Sequence, residues 1–173
     1  MAISLYDASV LCYLQTLDAV SGFLDRGLAH CRDNDIDPET IVETRLWPDM
    51  RPFGFQIQWA VIHSLGAVDT IKSGILIPSG APPALDYAAL QALVTDARHA
   101  LRQVTQEEIN AREGAEVVLQ VRDTRRVFTA EGFLLSFSLP NFHFHATTAY
   151  DILRSQGVPV GKLDYIGALR LKP

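Results

Sequence analysis

Ile3, Tyr6, Val10, Tyr13, Leu17, Val20 and Leu24 follow one another in steps of three and four. That spacing puts all seven on one stripe of an α-helix. A helix with such a stripe gains most of its stability from whatever covers it, so the N-terminal segment demands further helices. The stripe fades at "CRDNDIDPET" (31–40), whose acidic residues and Pro38 predict a loop.

The rest of the chain supplies the covering elements. "FGFQIQWAVIHSLGAVDTIKSGI", after Pro52, is apolar nearly all round and predicts a second helix buried on several sides. "IPSGAPPALD" (77–86) carries three prolines and a glycine and predicts a connection. A third helix opens near Asp86, with Leu90, Val94, Ala97, Leu101 and Val104 again in steps of four and three. "EVVLQVRDTRRVFTA" (116–130) is β-branched and alternates around Arg-Asp-Thr, the pattern of a short hairpin. A lone hairpin is marginal in water, so it must lie against the helices. Thr129 opens a fourth helix, which Pro140 should kink or restart. That helix continues through Phe142, His145, Ala149 and Ile152 and stops at Gly157, with Pro159 beyond. The tail after it is apolar enough to pack back on the helices. The expected fold is all-α: a four-helix bundle with a short β-hairpin inserted before the fourth helix, forming a single domain over residues 1–173.

Length and charge narrow the function. A chain of 173 residues, 48% of them hydrophobic, can bury roughly 70% of the surface its unfolded form exposes. It needs no staple, and Cys12 and Cys31 lie too far apart along one helix to form a disulfide. They read as thiols of a reducing compartment, so a cytoplasmic location is expected. The net charge of −5 argues against a nucleic-acid partner, which usually meets a basic face. "VRDTRR" (121–126) reads as a solvated turn. No apolar run approaches a membrane span, and the N-terminus lacks the basic start of a secretory signal. Phosphate loops, CxxC pairs and GxSxG elbows are all missing from the sequence.

Histidine chemistry remains, centred on "PNFHFHATTAY" (140–150). Successive helical residues advance by ~100°, so His143 and His145 project ~200° apart and cannot share one ion. His145 shares the inward stripe, whereas His143 should face solvent or a partner chain. A buried imidazole needs a hydrogen-bond partner. Asn141, one turn before His145, and Gln58, beside the Ile57–Val61–Leu65–Val68 stripe of the second helix, are the candidates for a polar cluster or ligand pocket. By the same angular count His63 falls on the far side of the second helix, with Gln56 and Ala67. A metal shared by His63 and His145 would require that helix to turn its other face inward. His30 and His99 sit in polar contexts that predict exposure.

"SLYDASV", "FQIQWA" and "FTAEGFLLSFSLPNFHFHATTAYDILRSQGVPVGKLDYIG" resemble a bacterial family that carries a domain-of-unknown-function label and is placed in the DinB-like superfamily. The resemblance runs over nearly the whole chain. It implies a bundle of up-down-down-up connectivity, and dimers are common in such proteins. It also implies a divalent metal such as zinc or nickel, held by one histidine on the second helix and an HxxxH pair on the fourth, and in some relatives a thiol transferase or hydrolase activity. In this chain the corresponding positions are His63, Asn141 and His145, with asparagine where the first histidine of the pair is expected. The resemblance therefore points to a DinB-like bundle whose metal site is degenerate or absent and which works through a small-ligand pocket or a dimer face. A metal-dependent enzyme using His145, His63 and Asn141 is the alternative. A homodimer is expected on separate grounds, because Trp59, Phe133, Phe137, Phe142 and Phe144 add up to more aromatic surface than one bundle core should hide.

Overall fold

A computed structural model of the chain describes residues 3–172. In chain order the elements are α1 (Leu5–Ala8), α2 (Val10–Asp33), α3 (Pro38–Glu43), α4 (Phe53–Ile62), α5 (Leu65–Ser73), β1 (Ile75–Leu76), α6 (Tyr87–Gln103), α7 (Gln106–Asn110), β2 (Glu116–Val121) and β3 (Thr124–Thr129). There follow α8 (Ala130–Phe133), a π-helical turn (Leu134–Ser138), α9 (Leu139–Ser155) and α10 (Lys162–Ile166). Four long helical units form the bundle. α2 packs on α6 and α9, and α4 packs on the same two.

The apolar stripes face the core from Val10 onward, but the first is interrupted at Ser9: Tyr6 is half-buried on the separate α1 and Ile3 is 81% exposed. Val10, Tyr13, Leu17, Val20 and Leu24 of α2 are fully buried, as are Leu90, Val94 and Leu101 of α6 and Phe142, Ala149 and Ile152 of α9. Asp86 caps α6 by accepting the Ala89 amide, and Thr129 caps α8 by accepting that of Gly132. α9 ends before Gly157, which takes the left-handed φ of 85° that favours glycine. α10 folds back on α2, where Asp164 pairs with Arg26 at 3.0 Å. Among the described residues no helix is long and apolar enough to cross a membrane.

β2 and β3 form the expected antiparallel hairpin, turning at Arg122 and Asp123. β1 adds a parallel strand beside β2, which makes a three-stranded sheet of the hairpin. The segment at 31–40 departs from the expected loop. α2 runs on to Asp33, and Pro38 starts α3 because Asp37 accepts the Glu39 amide and proline is well suited to a first helical turn.

The second helix is not continuous either. It breaks at His63 and Ser64, where the Ser64 hydroxyl donates to the carbonyls of Ala60 and Val61. The fourth is interrupted by the π turn just before Pro140. Proline has no N–H for the Ser136 carbonyl and its ring would collide with it, so a wider turn precedes it. The two interruptions meet. Ser138 Oγ, in the π turn, donates to the His63 carbonyl at 2.6 Å, and Tyr13 Oη lies 2.8 Å from the same Ser138 oxygen. With Ser138 already donating, Tyr13 donates to it, and this buried chain ties α2 to both breaks.

Of the aromatic residues expected at a dimer face, Phe133 and Phe142 are buried in the core, and Trp59 and Phe137 are half-buried. Phe144, 57% exposed, is the one left on the surface. The bundle hides this surface because α4 and α9 pack face to face along their length.

Candidate functional site

Arg51, Phe55, Trp59 and His63 stand four residues apart and form one ladder from just before α4 to its C-cap. The Arg51 guanidinium lies 5.3 Å from the centre of the Phe55 ring. Phe55 stacks on Trp59 at 5.2 Å, and Trp59 leans on His63 at 5.5 Å. α9 closes this face with His145, whose ring is 5.8 Å from His63 with the planes only 9° apart, and 5.8 Å from Trp59. The face predicted to point away thus turns toward α9. α4 is apolar on all sides and is buried by two helices at once: Ile57 sits in the core, and Gln56 and His63 are buried as well.

A hydrogen-bond relay fixes the His145 ring. Gln56 Nε2 donates to the Arg51 carbonyl at 2.9 Å, which leaves Gln56 Oε1 to accept from His145 Nδ1 at 2.7 Å. The proton is therefore on Nδ1, and Nε2 carries a lone pair. Burial pushes both imidazoles down to about 4, and for His63 the neighbouring His145 adds to the effect. Both are neutral at pH 7. The Trp59 indole nitrogen is buried with no hydrogen-bond partner among the described residues. Buried donors are rarely left this way.

Beside the ladder lies a cavity of about 190 Å³. Trp59, His63 and Gly66 form one wall and Phe133 and Phe137 another, with the segment from Leu76 to Gly80 across the top. The site thus combines an apolar cavity walled by Trp59 and the neutral His63 ring with a second imidazole, His145, packed behind them.

The sequence-predicted residues divide into two groups. His63 and His145 come together. Gln58 is buried elsewhere, against the segment from Ala81 to Leu85, because it is two positions on from Gln56 and projects from another side of α4. Asn141 does not meet His145; its amide donates to the Phe137 carbonyl at 2.6 Å, within the turn that Pro140 loosens. His143 faces outward, as predicted, with Nδ1 3.3 Å from the Tyr165 hydroxyl. His99 is exposed, whereas His30 is half-buried with Nδ1 3.3 Å from the Asn34 amide. Gln56, Phe55 and the role of Trp59 were not anticipated. The four-residue repeat Arg-Phe-Trp-His was the available signal.

A divalent ion at this place would find two imidazoles. Catalytic zinc keeps three protein ligands, and the third position of the DinB-type set is an amide turned to a backbone carbonyl. Among the described residues no group of three or more His, Cys, Asp or Glu side chains converges. The donor set is one strong ligand short of the metal the fold implies.

Comparison with known proteins agrees with the architecture. A solved structure described as a DinB family member from Shewanella denitrificans superposes with a TM-score of 0.79, covering 98% of this chain and 95% of its own, at 26% sequence identity. No curated protein matches. The family model for DUF1993, a domain of unknown function, matches residues 5–166. A helical bundle with a small sheet before its last long helix, a DinB-like superposition and a match over most of the sequence give one conclusion: the chain belongs to the DUF1993 family and has the DinB-like fold.

Proposed function

We propose that the chain binds a small, largely apolar molecule in the cavity beside the His63–His145 pair. The observation that carries this is the Trp59 indole N–H, buried without a partner next to two neutral imidazoles. A ligand atom that accepts from Trp59 would remove a desolvation cost of about 1–3 kcal/mol that the free protein bears. A second ligand group that pairs with the neutral His63 ring, which lines the cavity, would complete the pairing. Hydroxyl and amide compounds with a flat or branched apolar body meet both needs, and the cavity holds a molecule of only a few to about ten heavy atoms.

The test is a thermal-shift screen of small alcohols, amides and thiols against the wild-type chain and Gly66→Leu. A Cβ added at Gly66, which lines the cavity, meets nothing nearer than Ile62 at 4.0 Å, so a leucine there is expected to fill cavity space. Hits that stabilise the wild type and not Gly66→Leu support the proposal; hits that stabilise both equally place the ligand elsewhere. Elemental analysis of protein made without a histidine tag is the second arm. Near one equivalent of zinc or nickel, lost in His145→Ala, would replace the proposal with a metal-dependent enzyme.

A further inference from the structure

Gln58 is 6% exposed; its side-chain amide makes no hydrogen bond among the described residues but is not sealed from solvent, unlike the Trp59 indole nitrogen. It borders two adjoining clefts that do not include either histidine, although Arg51 and Phe55 of the ladder line the first. The first, about 230 Å³, is lined by Arg45, Arg51, Gly54 and Phe55 as well as Gln58. The second, about 190 Å³, is almost wholly apolar, with Val61, Ile62, Pro83 and Leu93 in its walls. Gln58, Pro82 and Leu85 belong to both.

The first cleft has the features of an anion site. α4 has Pro52 at its N-cap, which supplies no side-chain acceptor. Phe53 donates its amide to the Thr44 carbonyl, but the next two amides, of Gly54 and Phe55, have no partner among the described residues. Free amides at the start of a helix attract negative charge. Arg45 and Arg51 flank them, and neither forms an ion pair with a carboxylate among the described residues. Arg45 Nη1 donates to the Met50 carbonyl at 2.6 Å and Arg51 lies over the Phe55 ring, which holds both cations near the uncapped helix end. Glu43 also lines this cleft, which favours a singly charged anion over a phosphate.

We infer that the joined clefts bind a small monocarboxylate with an apolar tail. The carboxylate sits on the Gly54 and Phe55 amides between Arg45 and Arg51, Gln58 meets the ligand at the junction, and the tail lies toward Pro83 and Leu93. From Gly54 to Ile62 the helix rises about 12 Å, the reach of a chain of roughly eight carbons. Neither histidine lines this site, although Ile62 borders both it and the histidine cavity, and the inference does not rest on the function proposed for that cavity.

The experiment is a ¹H–¹⁵N NMR titration of the full chain with acetate, butyrate, octanoate and 1-octanol at constant ionic strength. Octanoate should give saturating shifts at the Gly54 and Phe55 amides. Affinity should climb from acetate to octanoate by up to roughly fourfold for each methylene buried. Arg45→Gln combined with Arg51→Gln, both at exposed positions, should weaken octanoate by about tenfold and leave 1-octanol unchanged. If that variant fails to fold, the octanoate-to-octanol ratio of the wild type decides alone, and equal affinities overturn the inference. So do acetate binding as tightly as octanoate, a wild-type titration that does not saturate at Gly54 and Phe55, or shifts confined to Trp59 and His63.

Discussion

Acid should destabilise the fold through His63 and His145, by an amount the structure allows to be worked out. Both rings are buried between α4 and α9, and burial holds each at about 4 instead of the ordinary 6.5. A folded-state value below the unfolded one means that folding favours the neutral ring. The stabilisation is therefore complete above pH 6.5 and is lost as the pH falls from there through about 4. At 1.36 kcal/mol per pH unit each ring accounts for up to roughly 3 kcal/mol. Repulsion between the two charges is already contained in the His63 value, and water reaching the ring nitrogens lowers the sum to about 3–5 kcal/mol. The assay is a series of urea melts between pH 7.5 and 4 for the wild type and His63→Phe. Carboxylates titrate in both proteins and cancel in the difference, so the variant should gain about 2–3 kcal/mol on the wild type as the pH drops. A difference constant to within about 0.5 kcal/mol would show that His63 is not buried in its neutral form, and the α4–α9 packing described above would be wrong.

Ser138→Ala strands the His63 carbonyl and the Tyr13 hydroxyl together, so chemical denaturation should show a loss of about 2–4 kcal/mol. His145→Ala leaves Gln56 Oε1 unpaired and opens space beside Trp59, for an expected cost of about 1–3 kcal/mol plus a cavity contribution. His143→Ala removes an exposed ring with one long contact to Tyr165 and should stay within about 0.5 kcal/mol in the same melts. The expected homodimer now rests on Phe144 and the neighbouring half-buried Phe55. Light scattering should show dimers at micromolar concentration that Phe144→Ser weakens, and a monomer throughout would end that expectation.

The helices were legible because their stripes are long. Val10, Tyr13, Leu17, Val20 and Leu24 in regular steps leave one way to bury α2, and the same holds for α6. The inward placement of His145 followed from its register with Phe142, Ala149 and Ile152, which survives Pro140 because the π turn lies before that stripe and not within it. The facing of α4 was not legible. Where nearly every position is apolar, periodicity does not distinguish the side that meets α6 from the side that meets α9, and His63 was assigned outward on that account. The interruption before Pro140 was legible from the proline, but the break at Ser64 was not, and no local pattern encodes the Ser138–His63 hydrogen bond that joins the two. Gln56 and Gln58 differ by two positions, and only the relay through the Arg51 carbonyl shows which of them holds the histidine.

The most direct test of the ligand site is the indole N–H resonance of Trp59, observed during the compound screen. The chain has two tryptophans, and Trp47, 69% exposed, is an internal control in the same spectrum. On addition of a compound that stabilises the wild type, the Trp59 signal should move and saturate while that of Trp47 stays in place, and Gly66→Leu should abolish the movement. A Trp59 signal that no stabilising compound moves, or that moves only on addition of zinc, would contradict the account.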